Sequence, residues 1–174
     1  MFRGLDWKKF NIPSNDLLAA FAAANDIVRK NASVTFQDVS GKWSDEHYPQ
    51  TSYPFVNKWR NFNEGSNQNY IFIRLADILL LKAESLNETG DQAGAILLLN
   101  QIRSRVGLPA TTATSQTDVR LAIETERRLE LAFEGHRWYD LKRTGRAIEV
   151  INNVKDHNGQ NIGYALTPNR LVWP

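Results

Sequence analysis

Apolar residues recur at helical spacing along most of this chain. Pro13-Ser14-Asn15-Asp16 reads as a helix start, because Ser14 can accept a hydrogen bond from an orphan amide and Asp16 suits the positive helix end. Leu17, Leu18, Phe21 and Ala24 follow, so the pattern predicts a helix over 14–25. The strongest run begins near Tyr70. Phe72, Leu75, Ile78, Leu79 and Leu86, with Ala83 beside them, predict a helix over 71–89 with these residues inward. Gly90 ends it by tolerating left-handed backbone. Asp91 caps a second helix over 91–106, with Ala95, Ile96, Leu99, Ile102 and Val106 inward and Gly107 and Pro109 as the stop. So short a link forces an antiparallel hairpin. Thr117 or Asp118 opens a third helix over 117–134, lined by Val119, Ala122, Ile123, Leu129 and Phe133. Gly135 interrupts it, and His136 to Arg143 reads as a short helix with Trp138 and Leu141 inward. Gly145 closes that piece. Ala147, Ile148 and Ile151 begin a last helix, followed by an Asn158-Gly159 turn and an irregular tail.

Residues 32–66 read differently. Ala32, Val34 and Phe36 alternate with Ser33, Thr35 and Gln37, a strand pattern, and Tyr53 to Trp59 is a second extended run. Gly41, Pro49, Pro54, Gly65 and many Asn and Ser residues mark a loop carrying short strands. The expected fold is therefore all-α, built of tetratricopeptide-like hairpins with one loop-rich, short-strand insertion. Ala83, Leu86, Gly90, Ala95, Leu99 and Ile102 follow the small, large, glycine, small, large, medium order of such a repeat, with Leu79 where its aromatic would stand. One domain over 1–174 is expected: a helix at 14–25, the insertion at 32–66, a helical scaffold at 71–145, and a helix with irregular tail at 146–174.

Composition narrows the function classes. A length of 174 residues suits one domain. Lys plus Arg is 21 and Asp plus Glu is 19, a net charge of +2, which gives no electrostatic reason to expect nucleic acid. The absence of cysteine rules out disulfides, thiolate metal sites and cysteine nucleophiles. No apolar run approaches the roughly 20 residues of a membrane span. Met1 to Trp7 does not read as a signal peptide. The apolar end Leu171-Val172-Trp173-Pro174 suits a protein interior, so a piece of a longer chain is expected.

Glu126, Glu130 and Glu134 form an i, i+4, i+8 stripe. Paired carboxylates could serve a glycosidase. Three like charges in one stripe need counter-ions, however. Arg74, Arg103, Arg105, Arg127, Arg128 and Arg137 can supply them, each guanidinium gripping a carboxylate at two points. The stripe is thus read as a structural ion-pair motif of Arg74, Glu126, Arg127, Glu130, Glu134 and Arg137. Glu124 and Arg128 form a further i, i+4 pair, expected on the surface. His47, His136 and His157 lack metal-ligand spacing, so no metal is expected. No nucleophile elbow, phosphate loop or dinucleotide fingerprint occurs, so no catalytic residue, cofactor or enzymatic activity is expected.

Aromatic residues crowd the insertion: Trp43, Tyr48, Tyr53, Trp59 and Phe62 stand among hydrogen-bonding side chains. Sugars present flat C–H faces that stack on rings, and binding residues favour loops carried by a rigid scaffold. Trp43, Tyr48, Tyr53 and Trp59 are the candidate ligand-binding residues, with Trp43 and Trp59 first because indole offers the largest face. The alternative is that these rings pin the loop to the helices. Trp138 is read as core.

Several segments also resemble one family. Residues 126–145, ERRLELAFEGHRWYDLKRTG, resemble the hallmark of the SusD/RagB family. Residues 73–84, IRLADILLLKAE, are similar to its RxADxLLxxAE helix, and residues 100–109, NQIRSRVGLP, to its NxIRxRxGL segment. Residues 13–21, PSNDLLAAF, resemble the stretch before the family's variable loops. The resemblance covers nearly the whole chain in matching order. It implies an α-helical scaffold with tetratricopeptide-like hairpins. It also implies a non-enzymatic outer-membrane lipoprotein of Bacteroidetes, exposed at the cell surface. Such a protein captures oligosaccharides or other nutrients for a SusC-type TonB-dependent transporter. This chain resembles only the C-terminal part of such proteins, without the lipid-bearing cysteine. The alternative is a generic tetratricopeptide-like scaffold for protein–protein interaction.

Overall fold

A computed structural model describes residues 11–45, 48–58, 71–156 and 158–171. Helix α1 spans Asn15–Ala23, and the Ser14 hydroxyl accepts the Leu17 amide at 3.2 Å. It buries Leu17 and Phe21 against Leu129 and Ala132. The chain then turns through Asn25, at φ 52°, into α2, Ile27–Ser33. The Asp26 carboxylate accepts the Arg29 amide at 3.1 Å and so starts α2. The pattern gave no hint of this helix, because its buried positions are Arg29 and Ser33 rather than apolar residues.

Strands β1, Val34–Gln37, and β2, Tyr53–Val56, pair antiparallel with Val34 opposite Val56 and Gln37 opposite Tyr53. A 3-10 turn at Gln50–Ser52 leads into β2. The sheet joins the helices through α2, which contacts β1.

Helices α3, Leu75–Glu88, and α4, Gln92–Arg105, form the hairpin. Gly90 sits at φ 94°, and the Asp91 carboxylate accepts the Gly94 amide at 2.8 Å. Helix α5, Gln116–Glu130, lies across both and is capped by Ser115 rather than by Thr117 or Asp118. Ala76, Leu80 and Ala83 of α3 pack with Ala95, Leu99 and Ile102 of α4 and Val119 and Ile123 of α5. Burying each larger aliphatic chain contributes about 1.5–3 kcal/mol.

Three expectations on helix faces and ends need correction. The apolar face of α3 is rotated: Leu75 is 71% exposed and Ile78 is exposed, while Asp77 and Asn87 are buried. Asn87 holds the start of α5, donating to the Gln116 carbonyl at 2.9 Å and accepting from the Gln116 amide group at 2.8 Å. Helix α5 stops at Glu130, four residues early. Its last carbonyl finds side-chain donors instead of further helix: Lys58 donates to Glu130 O at 2.8 Å and Arg74 at 2.6 Å, and Lys58 also donates to Ala132 O in the following turn at 3.1 Å. Residues 131–135 form a turn that runs through Phe133 at φ 66° and Gly135 at φ 84°. The third correction concerns α6, His136–Arg143, which buries Asp140 and Leu141. Trp138 is not core: it is 36% exposed, with Lys142 Nζ 5.9 Å from its ring centre.

Helix α7, Ala147–Asn152, follows Gly145. The tail folds back through an isolated bridge between Lys155 and Asn161, and Asn152 holds the Leu166 backbone by bonds of 2.8 and 3.0 Å. The outcome is a mainly helical, hairpin-based scaffold with one two-stranded insertion, as the sequence pattern predicts.

Candidate functional site

Of the candidate rings, Trp43 and Tyr48 lie in the loop between β1 and β2, and Tyr53 begins β2. At the base of this loop the Val39 amide donates to Gln50 O at 2.8 Å, and Ser40 N donates to the Asp38 carboxylate at 2.8 Å. The Lys42 amide closes a turn on Val39 O at 3.0 Å through Gly41, whose φ of 76° favours glycine. Trp43 follows this turn and is 63% exposed. Most of this residue's surface is thus open to solvent on a tethered loop.

Tyr53 cannot stack on a ligand. It is 0% exposed and packs with Val39 and Phe55 in a small satellite core, with Ile12 and Tyr48 against it. Its ring lies 5.5 Å from both Tyr48 and Phe55 in tilted geometry, the arrangement aromatic quadrupoles favour. The candidacy fails because β2 points this side chain inward. Tyr48 is half-buried at the rim. Burial first, then the charge of Asp45, pushes its pKa up to about 12, so its hydroxyl stays protonated at neutral pH. Trp59, Phe62, His47 and His157 lie outside the described residues.

The glutamate stripe lies elsewhere, at the end of α5 and in the turn after it, and is surrounded by five cations from four segments. Glu126 sits 2.7 Å from Arg29 Nη1 and 3.0 Å from Arg103 Nη1. Glu130 meets Arg29 at 3.0 Å, Arg74 at 2.5 Å and Arg105 at 2.7 Å. Glu134 meets Arg74 at 2.7 Å and also pairs with Lys58. All three glutamates are buried. Burial by itself would raise the Glu130 pKa, but Arg74, Arg105 and Arg29 together hold it below the usual carboxylate value. Glu134 is likewise held low against its burial, by Arg74 and Lys58. Burial pulls Lys58 below the ordinary lysine value even with Glu134 beside it. Carboxylates so firmly ionised are poor proton donors for glycoside chemistry.

Two arginines assigned to this stripe stand elsewhere. Arg127 points the other way, bonding Asp77 at 2.8 Å and Asp140 at 2.9 Å and so locking α3 and α6 onto α5. Arg137 pairs with Glu124 at 3.2 Å, a carboxylate it shares with Arg146 at 2.6 Å. Arg128 pairs with Asp16, not with Glu124. Sequence reading missed Arg29, Asp26 and Lys58. Asp26 pairs locally with Arg29, but no local signal ties Arg29 or Lys58 to glutamates many tens of residues further along the chain. Among the described residues no group of three or more His, Asp or Glu side chains could hold a metal ion. Among them, too, no helix is long and apolar enough to cross a membrane.

The profile of the SusD family matches residues 1–171. The chain belongs to the SusD family. A SusD-like protein of Formosa agariphila is 44% identical over 115 residues, covering 61% of this chain and 21% of that protein. A SusD superfamily protein of Bacteroides vulgatus has a similar structure, with TM-score 0.69 and 25% identity over 83% of this chain and 36% of that one. A laminarin-binding SusD-like protein has TM-score 0.58 and 34% identity over 88% of this chain and 33% of its own. The chain thus spans about a fifth to a third of the length of these SusD relatives.

Proposed function

We propose that this chain is part of a non-enzymatic glycan-binding protein of the SusD family, and that residues 1–174 form its C-terminal domain. Trp43 is its leading contact, with Tyr48 at the rim. The observation that carries this reading is the exposed indole of Trp43 on a loop tied at its base to a buried aromatic core. Similarity to a laminarin-binding protein supports a polysaccharide as the ligand class. By family analogy, the complete protein is lipid-anchored at the outer membrane, faces outward, and passes its ligand to a SusC-type transporter. The ion-paired glutamates hold the scaffold rigid and take no part in chemistry. Affinity electrophoresis against laminarin and a polysaccharide panel tests this. Retardation by at least one glycan, reduced in Trp43→Ala, is the expected result. Parent-like retardation of Trp43→Ala would overturn it.

One observation favours a second role as an interaction scaffold. Leu75, Leu79 and Ile102 line an open groove of about 590 Å³ between α3 and α4, ended by Arg74 and Arg105. The transporter is the partner proposed for it. Co-purification lost in Leu75→Asp but kept in Trp43→Ala would support that docking face.

A further inference from the structure

A stacking ring binds well only if it is held in place before the sugar arrives, because ordering it afterwards weakens affinity. The described residues of the loop around Trp43, 38–45 and 48–49, belong to no helix or strand, so something else must hold them. Before Trp43, the Lys42 amide bond to Val39 O fixes the chain. After Trp43, the chain is fixed at Asp45. The Asp45 amide donates to the Tyr53 hydroxyl at 3.2 Å, and its carbonyl accepts from the Tyr48 amide at 3.2 Å. Tyr53 is a firm post: fully buried, part of β2, and flanked by two rings. Its hydroxyl links that satellite core to the backbone two residues beyond Trp43. A buried phenol needs a polar partner, and here the loop supplies it.

We infer that Tyr53 is a positioning residue for Trp43: its hydroxyl holds the Asp45 amide and thereby fixes the loop that presents the indole. This rests on the reading of Trp43 as the stacking platform. It gives the buried tyrosine a part in binding without any contact to ligand. Phenylalanine fills the same space and keeps the ring contacts but cannot accept from Asp45. A merely structural tyrosine would affect binding whether or not Trp43 is present. A positioning tyrosine acts only through Trp43.

The test uses parent, Tyr53→Phe, Trp43→Ala and the double variant. Amide exchange is followed by NMR, and binding is followed by titration with laminarin. In Tyr53→Phe the Asp45 amide should exchange about two- to tenfold faster, the factor one net hydrogen bond carries, while core amides such as Leu99 and Ile123 hold their rates. Laminarin binding should weaken by a similar factor when Trp43 is present and by nothing further in the Trp43→Ala background. Unchanged exchange at Asp45 overturns the inference, as does an equal weakening in both backgrounds. If Trp43→Ala binds laminarin, or whichever glycan retards the parent, as tightly as the parent does, the reading of Trp43 fails instead. The exchange rate then decides alone whether Tyr53 fixes the loop: faster supports it, unchanged refutes it.

Discussion

The end of α5 and the β1–β2 loop solve opposite problems. At α5, Arg29, Lys58, Arg74, Arg103 and Arg105 converge on Glu126, Glu130 and Glu134. Four separate segments are lashed to the end of α5 and the turn after it through three buried carboxylates. In the loop, order comes from tilted rings, main-chain bonds and one phenol, and an indole is left in solvent. Buried ion pairs are weak evidence for net stability, since desolvation offsets their attraction, but they are unforgiving of loss of one partner. Aromatic packing tolerates change at the rim. The difference assigns rigidity to the scaffold and leaves the loop free to vary, which suits a protein whose binding residues ride on loops.

The largest effect should come from breaking the charge cluster. Glu130→Ala leaves the buried Arg29 and the guanidinium groups of Arg74 and Arg105 short of a counter-charge, and should cost about 3–5 kcal/mol in denaturant unfolding. A variant as stable as the parent would show the cluster to be incidental. Acid should act on the same place. Glu130 and Glu134 have folded-state pKa values below their ordinary 4.5, so the stability they contribute is complete above that pH. It should be lost as pH falls through those lowered values. Melting scans should therefore show a steep acid decline that is blunted in Glu130→Gln.

A smaller effect is expected inside the hairpin. Ala95 is fully buried in the α3–α4–α5 core, and Ala95→Leu should overpack it at about 1–3 kcal/mol. An unchanged melting midpoint would argue against the close approach of α3 and α4. The smallest effect belongs to Glu88 and Arg120, a bidentate pair on the open surface. Glu88→Ala should leave the melting midpoint unchanged within error. A measurable drop there would erase the contrast between buried and exposed pairs.

Much of the helical frame was legible because its signals are local. Ser14, Asp91 and Gly90 mark helix ends by their own chemistry, and Leu99, Val119 and Ile123 repeat at the helical period. What failed to show was buried polarity. Asp77 and Asn87 occupy inward positions of α3, where Arg127 pairs with Asp77 and the Asn87 side-chain amide donates to the Gln116 carbonyl, so an apolar count turned the helix the wrong way. Helix α2 went unseen for the same reason, since Arg29 is its buried residue. The early end of α5 depends on Lys58 and Arg74, more than fifty residues upstream, donating to its last carbonyl. In the loop, composition located the aromatic cluster but could not say which rings point in. Burial separates them: Tyr53 of β2 is enclosed by Val39 and Phe55, whereas Trp43, outside both strands, is exposed.

The division between rigid scaffold and presenting loop meets its most direct test at Trp43. A glycan that binds the parent, laminarin first, is titrated calorimetrically into Trp43→Ala, and the melting midpoint is recorded on the same sample. Affinity should fall by about 1–3 kcal/mol, by analogy with bases stacked on aromatic side chains, while the midpoint stays at the parent value. Parent-like affinity, or a midpoint that falls together with the affinity, would contradict the division and make Trp43 part of the packing.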